Sequence, residues 1–210
     1  MAGYKKTDYW SQKAQTEGYP ARSVYKLKEM DEKFKLLSGC GGFGKGDSPV
    51  KVLDLGAAPG SWSLYVLRCM AGRGFLAAAD LVPLPRQYDQ GLFAGENFFF
   101  VQGDITETGI QEALVSRGPY HLVMSDAAPA TTGNRVVDTL RSLALAEAAV
   151  RYAEIALVPG GSLIVKVFQG EDAPELLTRI RGLFKAGKSF KPQACRSNSF
   201  ETYYIGLGKC

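Results

Sequence analysis

The sequence predicts an α/β domain with a mostly parallel β-sheet that is covered by helices on both faces. Short apolar stretches typical of buried strands alternate with helical stretches along most of the chain. The first of these strands runs into a glycine-rich turn that opens a helix. The chain has 210 residues, of which 46% are hydrophobic, so it can bury one such domain but not two ordinary ones.

Three segments are expected along the chain. Residues 1–37 are predicted as a helical N-terminal extension, residues 38–49 as a glycine-rich linker, and residues 50–210 as the α/β domain. Helices are expected over residues 8–37, with an interruption at Gly18-Tyr19-Pro20. In the second of these helices Val24 and Leu27 share an apolar face, and Lys26 falls beside it.

The elements of the domain follow from runs of apolar residues and from helical spacing. The predicted strands are Val50–Leu55, Gly74–Asp80, Asn97–Gln102, Tyr120–Ser125, Gly161–Phe168 and Glu201–Leu207. The predicted helices between them are Ser61–Met70, Glu107–Ser116, Asp138–Leu157 and Pro174–Lys185. Ligands of such sheets bind outside the carboxyl ends of the strands.

The turn after the first strand, Gly56-Ala57-Ala58-Pro59-Gly60, predicts a nucleoside site without a polyphosphate. It lacks the second and third glycines of the dinucleotide fingerprint, and Pro59 removes an amide donor that a pyrophosphate would need. Asp54, inside the strand, would repel phosphates and suits a cationic ligand. S-adenosylmethionine is such a ligand, whereas an ordinary tight turn without a ligand is the alternative that the turn alone leaves open.

Acidic residues end three further strands. Asp80 closes the second strand, 24 residues after Gly56, near the spacing of a ribose-binding acid; Asp104 and Asp126 follow the third and fourth strands. A single aspartate at such a place is more often a helix cap or a solvated loop residue. Three at successive strand ends favour a nucleoside pocket.

Lys166 lies within the apolar fifth strand, Ser162-Leu163-Ile164-Val165-Lys166-Val167-Phe168. A buried unpaired ammonium is costly, so Lys166 is expected to have an acidic partner, a depressed pKa or a route to water. Its neighbour at the sheet edge is expected to be Asp126. Lys26, Asp126, Lys166 and Glu201 are therefore candidates for one catalytic set, although spacing alone does not bring them together.

Charge is distributed unevenly along the chain. Residues 1–45 carry nine Lys/Arg against five Asp/Glu and residues 179–210 carry seven against one, whereas residues 46–178 carry nine against fifteen. Basic flanks of this kind indicate either a polyanionic partner or a solvated surface. The four cysteines show no CxxC spacing and there is one histidine, so no metal site is expected. A polar N-terminus and the lack of a long apolar run predict a cytoplasmic protein without a membrane span.

The motifs VLDLGAAPGSWS, SDAAPATTG, LVPGGSLIVKVFQGE and ETYYIG resemble those of the FtsJ-type RNA ribose 2′-O-methyltransferases, above all the members that act on bacterial large-subunit ribosomal RNA. The resemblance runs from about Tyr19 to the C-terminus. It implies a Rossmann-like methyltransferase sheet of about seven strands with a reversed last strand at its edge, and a monomer that acts on a uridine of 23S RNA, on its own or within the 50S subunit. The N-terminal extension would contact the RNA.

The resemblance also assigns roles to residues. The catalytic tetrad falls on Lys26, Asp126, Lys166 and Glu201, with Lys166 as the base or as a group that steers the acceptor hydroxyl. The residues expected to contact S-adenosylmethionine are Asp54, Gly56, Ala57, Pro59, Gly60, Trp62, Asp80, Leu81, Asp104, Ile105 and Asp126.

Some positions depart from the family pattern. Ser61 stands where a glycine is usual, which is expected to be harmless because Pro59-Gly60 sets the course of the backbone. Ala127-Ala128-Pro129-Ala130 replaces the commoner Met-Ala-Pro-Asn, which leaves the RNA target open. A methyltransferase acting on tRNA or on an mRNA cap would share the catalytic residues, and an RNA-binding protein without activity is a further alternative. The turn disfavours an NAD-dependent dehydrogenase.

Overall fold

The computed structural model of the protein describes residues 9–39, 49–196 and 199–210, apart from the side chains of residues 38 and 39. Three helices come first, α1 (Tyr9–Thr16), α2 (Val24–Phe34) and α3 (Leu36–Gly39). The predicted linker is described only at residues 38, 39 and 49; residues 40–48 lie outside the described part.

The remaining elements alternate as predicted. They are β1 (Val50–Leu55), α4 (Ser61–Met70), β2 (Gly74–Asp80), a short 3₁₀ helix (Leu92–Ala94), β3 (Phe98–Gln102), α5 (Thr108–Val115), β4 (Tyr120–Ser125), α6 (Arg135–Ala156), β5 (Leu157–Phe168), α7 (Ala173–Leu183), β6 (Phe184–Phe190) and β7 (Glu201–Lys209).

The strands form one sheet of seven, in the order β3-β2-β1-β4-β5-β7-β6. The pairs from β3 to β5 are parallel, and β7 is antiparallel to both of its neighbours. The α/β fold class is therefore confirmed. The expectation that the reversed strand lies at the edge is wrong, because β7 inserts between β5 and β6 and leaves β6 as the edge strand.

The strand β6 was not predicted, and the predicted helix Pro174–Lys185 runs two residues too far into it. Its sequence, FKAGKSF, contains lysines and a glycine in place of a continuous apolar run. An edge strand with exposed positions does not need such a run, since only one of its sides is paired and charged residues there discourage pairing with other chains.

Two apolar layers hold the helices against the sheet. One face packs against α5, α6 and α7 through residues such as Val123, Leu163 and Tyr152. The other face packs against α2 and α4, where Leu27 and Met30 are fully buried with strand residues. The helices that precede the sheet in sequence thus share its core. No helix within the described residues is long and apolar enough to cross a membrane.

The conformation and the surroundings of Gly56, in the β1–α4 turn, both require glycine. Its φ is +74°, and a Cβ there would lie 2.6 Å from the Cα and Cβ of Ala127. Side chains are disfavoured at a positive φ, and an added Cβ would contact the backbone of Ala127. Position 56 therefore tolerates no residue larger than glycine. This close approach brings the end of β1 against the segment that follows β4.

We predict that Gly56→Ala destabilises the protein more than Gly72→Ala. Gly72 also has a positive φ, of +80°, but nothing lies within 4 Å of an added Cβ. Gly72→Ala, the control, should therefore lower the free energy of unfolding only through backbone strain, by about 1–2 kcal/mol. Gly56→Ala should lower it by a further amount of about 1–3 kcal/mol through overpacking. Denaturant unfolding of both variants measures the difference; equal losses would contradict the crowding at Gly56.

Asp54 is a carboxyl group buried in the layer between β1 and α4. It is 1% exposed, the Ser63 hydroxyl donates to its Oδ2 at 2.7 Å, and its Oδ1 has no hydrogen-bond partner among the described residues. Burial raises the pKa of Asp54 to about 7. The Ser63 hydrogen bond opposes this rise, and the charges of Asp126 and Asp80 add to it.

This raised pKa predicts a pH-dependent stability. Between about pH 4, the ordinary pKa of an unfolded aspartate, and about pH 7, the folded chain keeps a proton that the unfolded chain loses. Stability is therefore highest at the acidic end and falls as the pH rises through this window. Within this window, the free energy of unfolding of Asp54→Asn should rise relative to that of the wild type by about 1.4 kcal/mol per pH unit. Unfolding free energies at pH 5, 6 and 7 measure this gain, and a pH-independent difference would contradict the raised pKa.

Candidate active site

The strand register brings the predicted site residues to one edge of the sheet. Leu55 at the end of β1 lies opposite Ala79 of β2 and Ser125 of β4. Ser125 in turn lies opposite Val165 of β5. The residues that follow these positions therefore meet at the carboxyl edge, where parallel sheets bind their ligands.

A cavity of about 500 Å³ opens at this edge. The predicted residues that line it are Gly56, Pro59, Asp80, Leu81, Asp104, Ile105, Asp126 and Lys166. Residues that were not among the predicted cofactor contacts or catalytic residues also contribute to its wall: Ser23, Ala58, Val82, Gly103, Ala127, Ala128 and Leu145. The cavity is thus bordered by carboxylates, by short apolar side chains and by one lysine.

Four residues predicted to contact the cofactor lie behind this wall. Asp54 is buried against α4, as described above, and Ala57 is 4% exposed with its amide donating to the carbonyl of Ala79. Gly60 precedes the first turn of α4 with φ +96°. Trp62 is 2% exposed, and its Nε1 donates to the carbonyl of Ser23 at 2.8 Å. These residues shape the turn and support the cavity from the core side.

Backbone amides hold the acidic side chains of the cavity in place. Asp80 accepts hydrogen bonds from the amide of Ala58 at 2.9 Å and from that of Val82 at 3.0 Å. Oδ1 of Asp104 accepts from the amide and the hydroxyl of Thr106, at 2.8 and 2.7 Å. Both carboxylates are therefore oriented without a ligand, and each keeps acceptor capacity for hydroxyl or amino groups.

Lys166 and Asp126, which both line the cavity, form an ion pair. Nζ of Lys166 lies 2.9 Å from Oδ1 of Asp126 and also donates to the backbone carbonyl of Asp126. The lysine side chain is 7% exposed. The hydroxyl of Tyr203 donates to the same Oδ1 at 2.6 Å. Tyr203 reaches it because β7 places it directly opposite Lys166 in the antiparallel pair with β5.

Lys26 and Glu201 form a second ion pair beside the first. Nζ of Lys26 lies 2.8 Å from Oε1 of Glu201, and both side chains are 12% exposed. The same Nζ lies 5.8 Å from the ring centroid of Tyr203. Glu201 and Tyr203 are two residues apart on β7 and so point to the same face of the sheet. The structure thus brings all four predicted catalytic residues together around Tyr203.

The turn before α2 is anchored to α4, which places Lys26. The Ser61 hydroxyl accepts from the amide of Ala21 at 2.9 Å and donates to its carbonyl at 3.1 Å. Together with the hydrogen bond from Trp62 to Ser23, these contacts fix the start of the helix. Ser61, which is 1% exposed, therefore has a structural function that a glycine at this position would lack.

Neighbouring charges set the protonation states of Asp126 and Lys26. Burial would raise the pKa of Asp126, but the charges of Lys166 and Lys26 and the hydrogen bond from Tyr203 outweigh it and hold that pKa below the ordinary value. Burial would lower the pKa of Lys26, but the charges of Asp126 and Glu201 keep it above the ordinary value. Asp126 is therefore an anion and Lys26 a cation at neutral pH.

Tyr203 is the main site residue that sequence reasoning missed. It is fully buried, and burial with the neighbouring Asp126 and Glu201 charges raises its pKa well above the ordinary value, so it stays a hydrogen-bond donor. The signal was available in ETYYIG, since a residue two positions after Glu201 shares its face of the strand.

No group of three or more potential metal ligands occurs among the described residues.

Solved structures with the same fold include methyltransferases. A Plasmodium falciparum structure named as a ribosomal RNA methyltransferase is 24% identical, covers 91% of this chain and 98% of its own, and superposes with a TM-score of 0.72. Human Methyltransferase-like protein 13 in complex with SAH is 14% identical, covers 87% of this chain and 82% of its own, and gives a TM-score of 0.61. At these identities the similarity establishes the fold alone.

Sequence relatives are much closer. Ribosomal RNA large subunit methyltransferase E of Treponema denticola is 53% identical over 205 residues, which cover 97% of this chain and 96% of that protein. The protein of the same name from Borreliella afzelii is 45% identical over 95% of this chain and 96% of its own length. The model of the FtsJ-like methyltransferase family matches residues 19–209. Because that match and these relatives span nearly the whole sequence, this protein belongs to the FtsJ-like methyltransferase family.

Proposed function

We propose that this protein transfers the methyl group of S-adenosylmethionine to a ribose 2′-hydroxyl of large-subunit ribosomal RNA. The observation that carries the proposal is the buried Lys166–Asp126 pair, which lines a cavity with the chemistry of a nucleoside site. A cation held at such an edge has no structural purpose that an apolar residue would not serve better.

The lining of the cavity fits S-adenosylmethionine. Asp80 and Asp104 offer carboxylate oxygens for ribose hydroxyls and for an adenine amino group, while Leu81, Val82 and Ile105 offer apolar surface for a base. The acidic character suits a ligand with a sulfonium and without phosphates. Methyltransferases of the same fold with SAH, including Methyltransferase-like protein 13, support this assignment. S-adenosylmethionine supplies an already activated methyl group, so the protein has to align the acceptor and manage its proton.

Lys166 orients the acceptor hydroxyl in this proposal. An ammonium has three N–H donors, of which Asp126 accepts two through its carboxylate and its backbone carbonyl. The third remains for the 2′-oxygen, which it holds in line with the methyl group. The arrangement favours a steering role over a base, since a base would have to give up the proton that these acceptors stabilise. The hydroxyl proton would leave to solvent as the 2′-oxygen bonds to the methyl carbon and the carbon–sulfur bond breaks, with S-adenosylhomocysteine as the other product.

The other residues of the set support Lys166. Asp126 fixes the position of its ammonium, and Tyr203 fixes Asp126 through the 2.6 Å hydrogen bond. Lys26 and Glu201 form the wall toward the acceptor. There Lys26 donates hydrogen bonds to the RNA ribose and Glu201 accepts them from it. None of these functions requires a metal ion.

Ribosomal RNA is the proposed substrate because of the relatives and the charge distribution. The relatives at 53% and 45% identity are named as ribosomal RNA large subunit methyltransferases. The basic flanks of the sequence, residues 1–45 and 179–210, include Lys26 and Glu201, and this ion pair lies on the acceptor side of the site. We propose that the protein works as a cytoplasmic monomer on a uridine of 23S RNA within the 50S subunit.

Replacing Lys166 tests this proposal directly. Lys166→Ala should lower the rate of methyl transfer by about 100-fold or more, the usual loss when a reacting group is no longer held in line. The affinity for S-adenosylmethionine should stay near the wild-type value, because Asp80 and Asp104 are unchanged. Transfer of labelled methyl groups to large subunits from cells lacking the protein gives the rate, and calorimetry gives the affinity.

Lys51→Ala is the matched control. Lys51 is also a lysine on a central strand, but it lies near the start of β1, and its ammonium donates to the carbonyls of Arg117 and Gly118 at the opposite edge of the sheet. The Lys51→Ala variant should methylate the RNA at the wild-type rate. An active Lys166→Ala variant that binds S-adenosylmethionine normally would refute the role given to Lys166.

A further inference from the structure

A separate cavity, of about 320 Å³, lies where the start of α6 faces the loop after β5. We call it the α6 groove. The segment Gln169-Gly170-Glu171 in its wall ends the motif VKVFQGE, and the proposed function gives this segment no role. The nucleoside cavity shares none of the residues that line the groove, which are Arg135, Val136, Thr139, Leu140, Gln169, Gly170, Glu171 and Asp172.

One wall of the α6 groove is apolar and open to solvent. Val136 and Leu140 are four residues apart on α6 and therefore lie on the same face of the helix. They are 68% and 52% exposed. Leu81 and Val82 form a comparable exposed pair, and they border the nucleoside cavity. An exposed apolar pair in a cavity wall indicates a contact surface in both places.

The opposite wall is polar and carries negative charge. Gln169 offers an amide donor and an amide acceptor, while Glu171 and Asp172 offer carboxylate acceptors. Asp172 precedes α7 but makes no capping hydrogen bond with its side chain. The guanidinium of Arg135, the one cation in the lining, lies 5.3 Å from the ring centroid of Phe200. Two carboxylates against one cation disfavour a phosphate and favour a ligand with N–H donors.

The two walls of the α6 groove are fixed to each other. Gly170 packs so closely on α6 that a Cβ there would collide with the side chain of Thr139. The amide of Phe168 donates to the Ser142 hydroxyl at 3.0 Å. The loop after β5 is therefore held against α6, and the groove has its shape before a ligand binds.

The α6 groove adjoins the acceptor side of the active site. Phe168 lies directly opposite Glu201 in the pair of β5 with β7. The next residue, Gln169, donates from its amide to the carbonyl of Phe200 at 2.9 Å. Gln169 comes three residues after Lys166 on an extended chain, so their Cα atoms are about 10 Å apart. An RNA strand with one ribose at Lys166 can therefore place a neighbouring base in the groove.

We propose that the α6 groove binds the base of a nucleotide next to the methylated one. This inference rests on the proposed function, to which it adds a site that reads sequence. A base has flat apolar faces, which fit against Val136 and Leu140. It also has a polar edge, which fits the opposite wall when that edge carries N–H donors, as in guanine. A phosphate has neither feature.

Leu140→Ala tests the groove. Leu140 lines the groove and not the nucleoside cavity. The variant should bind large ribosomal subunits from cells lacking the protein about tenfold more weakly, because the apolar contact with the base is lost. The slope of log affinity against log salt concentration should not change, since no phosphate contact is removed. The affinity for S-adenosylmethionine should also equal that of the wild type.

Ile155→Ala is the matched control. Ile155 is 57% exposed on the same helix, about 22 Å from Leu140 along the helix axis. The Ile155→Ala variant should bind the subunits as the wild type does. A Leu140→Ala variant with wild-type affinity would overturn the proposal. A weaker affinity with a shallower salt slope would overturn it too, because the lost contact would then be to a phosphate.

A photoreactive side chain identifies what occupies the groove. Benzoylphenylalanine in place of Leu140 should crosslink to a nucleotide beside the methylated one, whereas the same group in place of Ile155 should not. A crosslink from position 140 to a ribosomal protein or to a distant nucleotide would refute a base at this place, and so would the absence of any crosslink. If the wild-type protein transferred no methyl group to these subunits, the proposed function would fail instead.

Discussion

The ion pair between Lys166 and Asp126 is the constraint on which the rest of the site depends. An ammonium that is 7% exposed needs a carboxylate and further acceptors, and both the side chain and the carbonyl of Asp126 provide them. Buried ion pairs of this kind contribute little to stability relative to apolar residues of similar size, although the loss of one partner costs about 3–5 kcal/mol. Their presence at a sheet edge beside a cavity is therefore best explained by chemistry.

The pair is assembled from two strands whose order is set by the fold. The parallel pairing of β4 and β5 puts Asp126 next to Lys166, and the reversed strand β7 then places Tyr203 opposite Lys166. Because β7 inserts between β5 and β6, Glu201 also lies at this edge. Lys26 completes the set from outside the sheet, and its position depends on the hydrogen bonds of Ser61 and Trp62 to the turn before α2.

The parts of the fold that depend on apolar periodicity were predictable from the sequence. The bounds of β1, β2, β4 and α4 agree residue by residue with those predicted, because continuous apolar runs between turns leave few alternatives. The strand β6 escaped prediction because an edge strand needs no such run. The four residues of the tetrad could be singled out by residue type and by resemblance, but their approach depends on long-range register and on side-chain hydrogen bonds. Trp62 and Asp54 show the same limit of sequence reasoning. Both are close in sequence to the glycine turn, yet they lie behind the cavity and not in its wall.

We propose that this site methylates a ribose of large-subunit ribosomal RNA. Mapping of 2′-O-methyl groups on ribosomal and transfer RNA, in cells with and without the protein, tests it most directly. We expect one 2′-O-methyluridine of 23S RNA to disappear when the protein is absent and to return with the wild-type protein but not with Lys166→Ala. An unchanged ribosomal RNA, with a methyl group lost from transfer RNA instead, would contradict it.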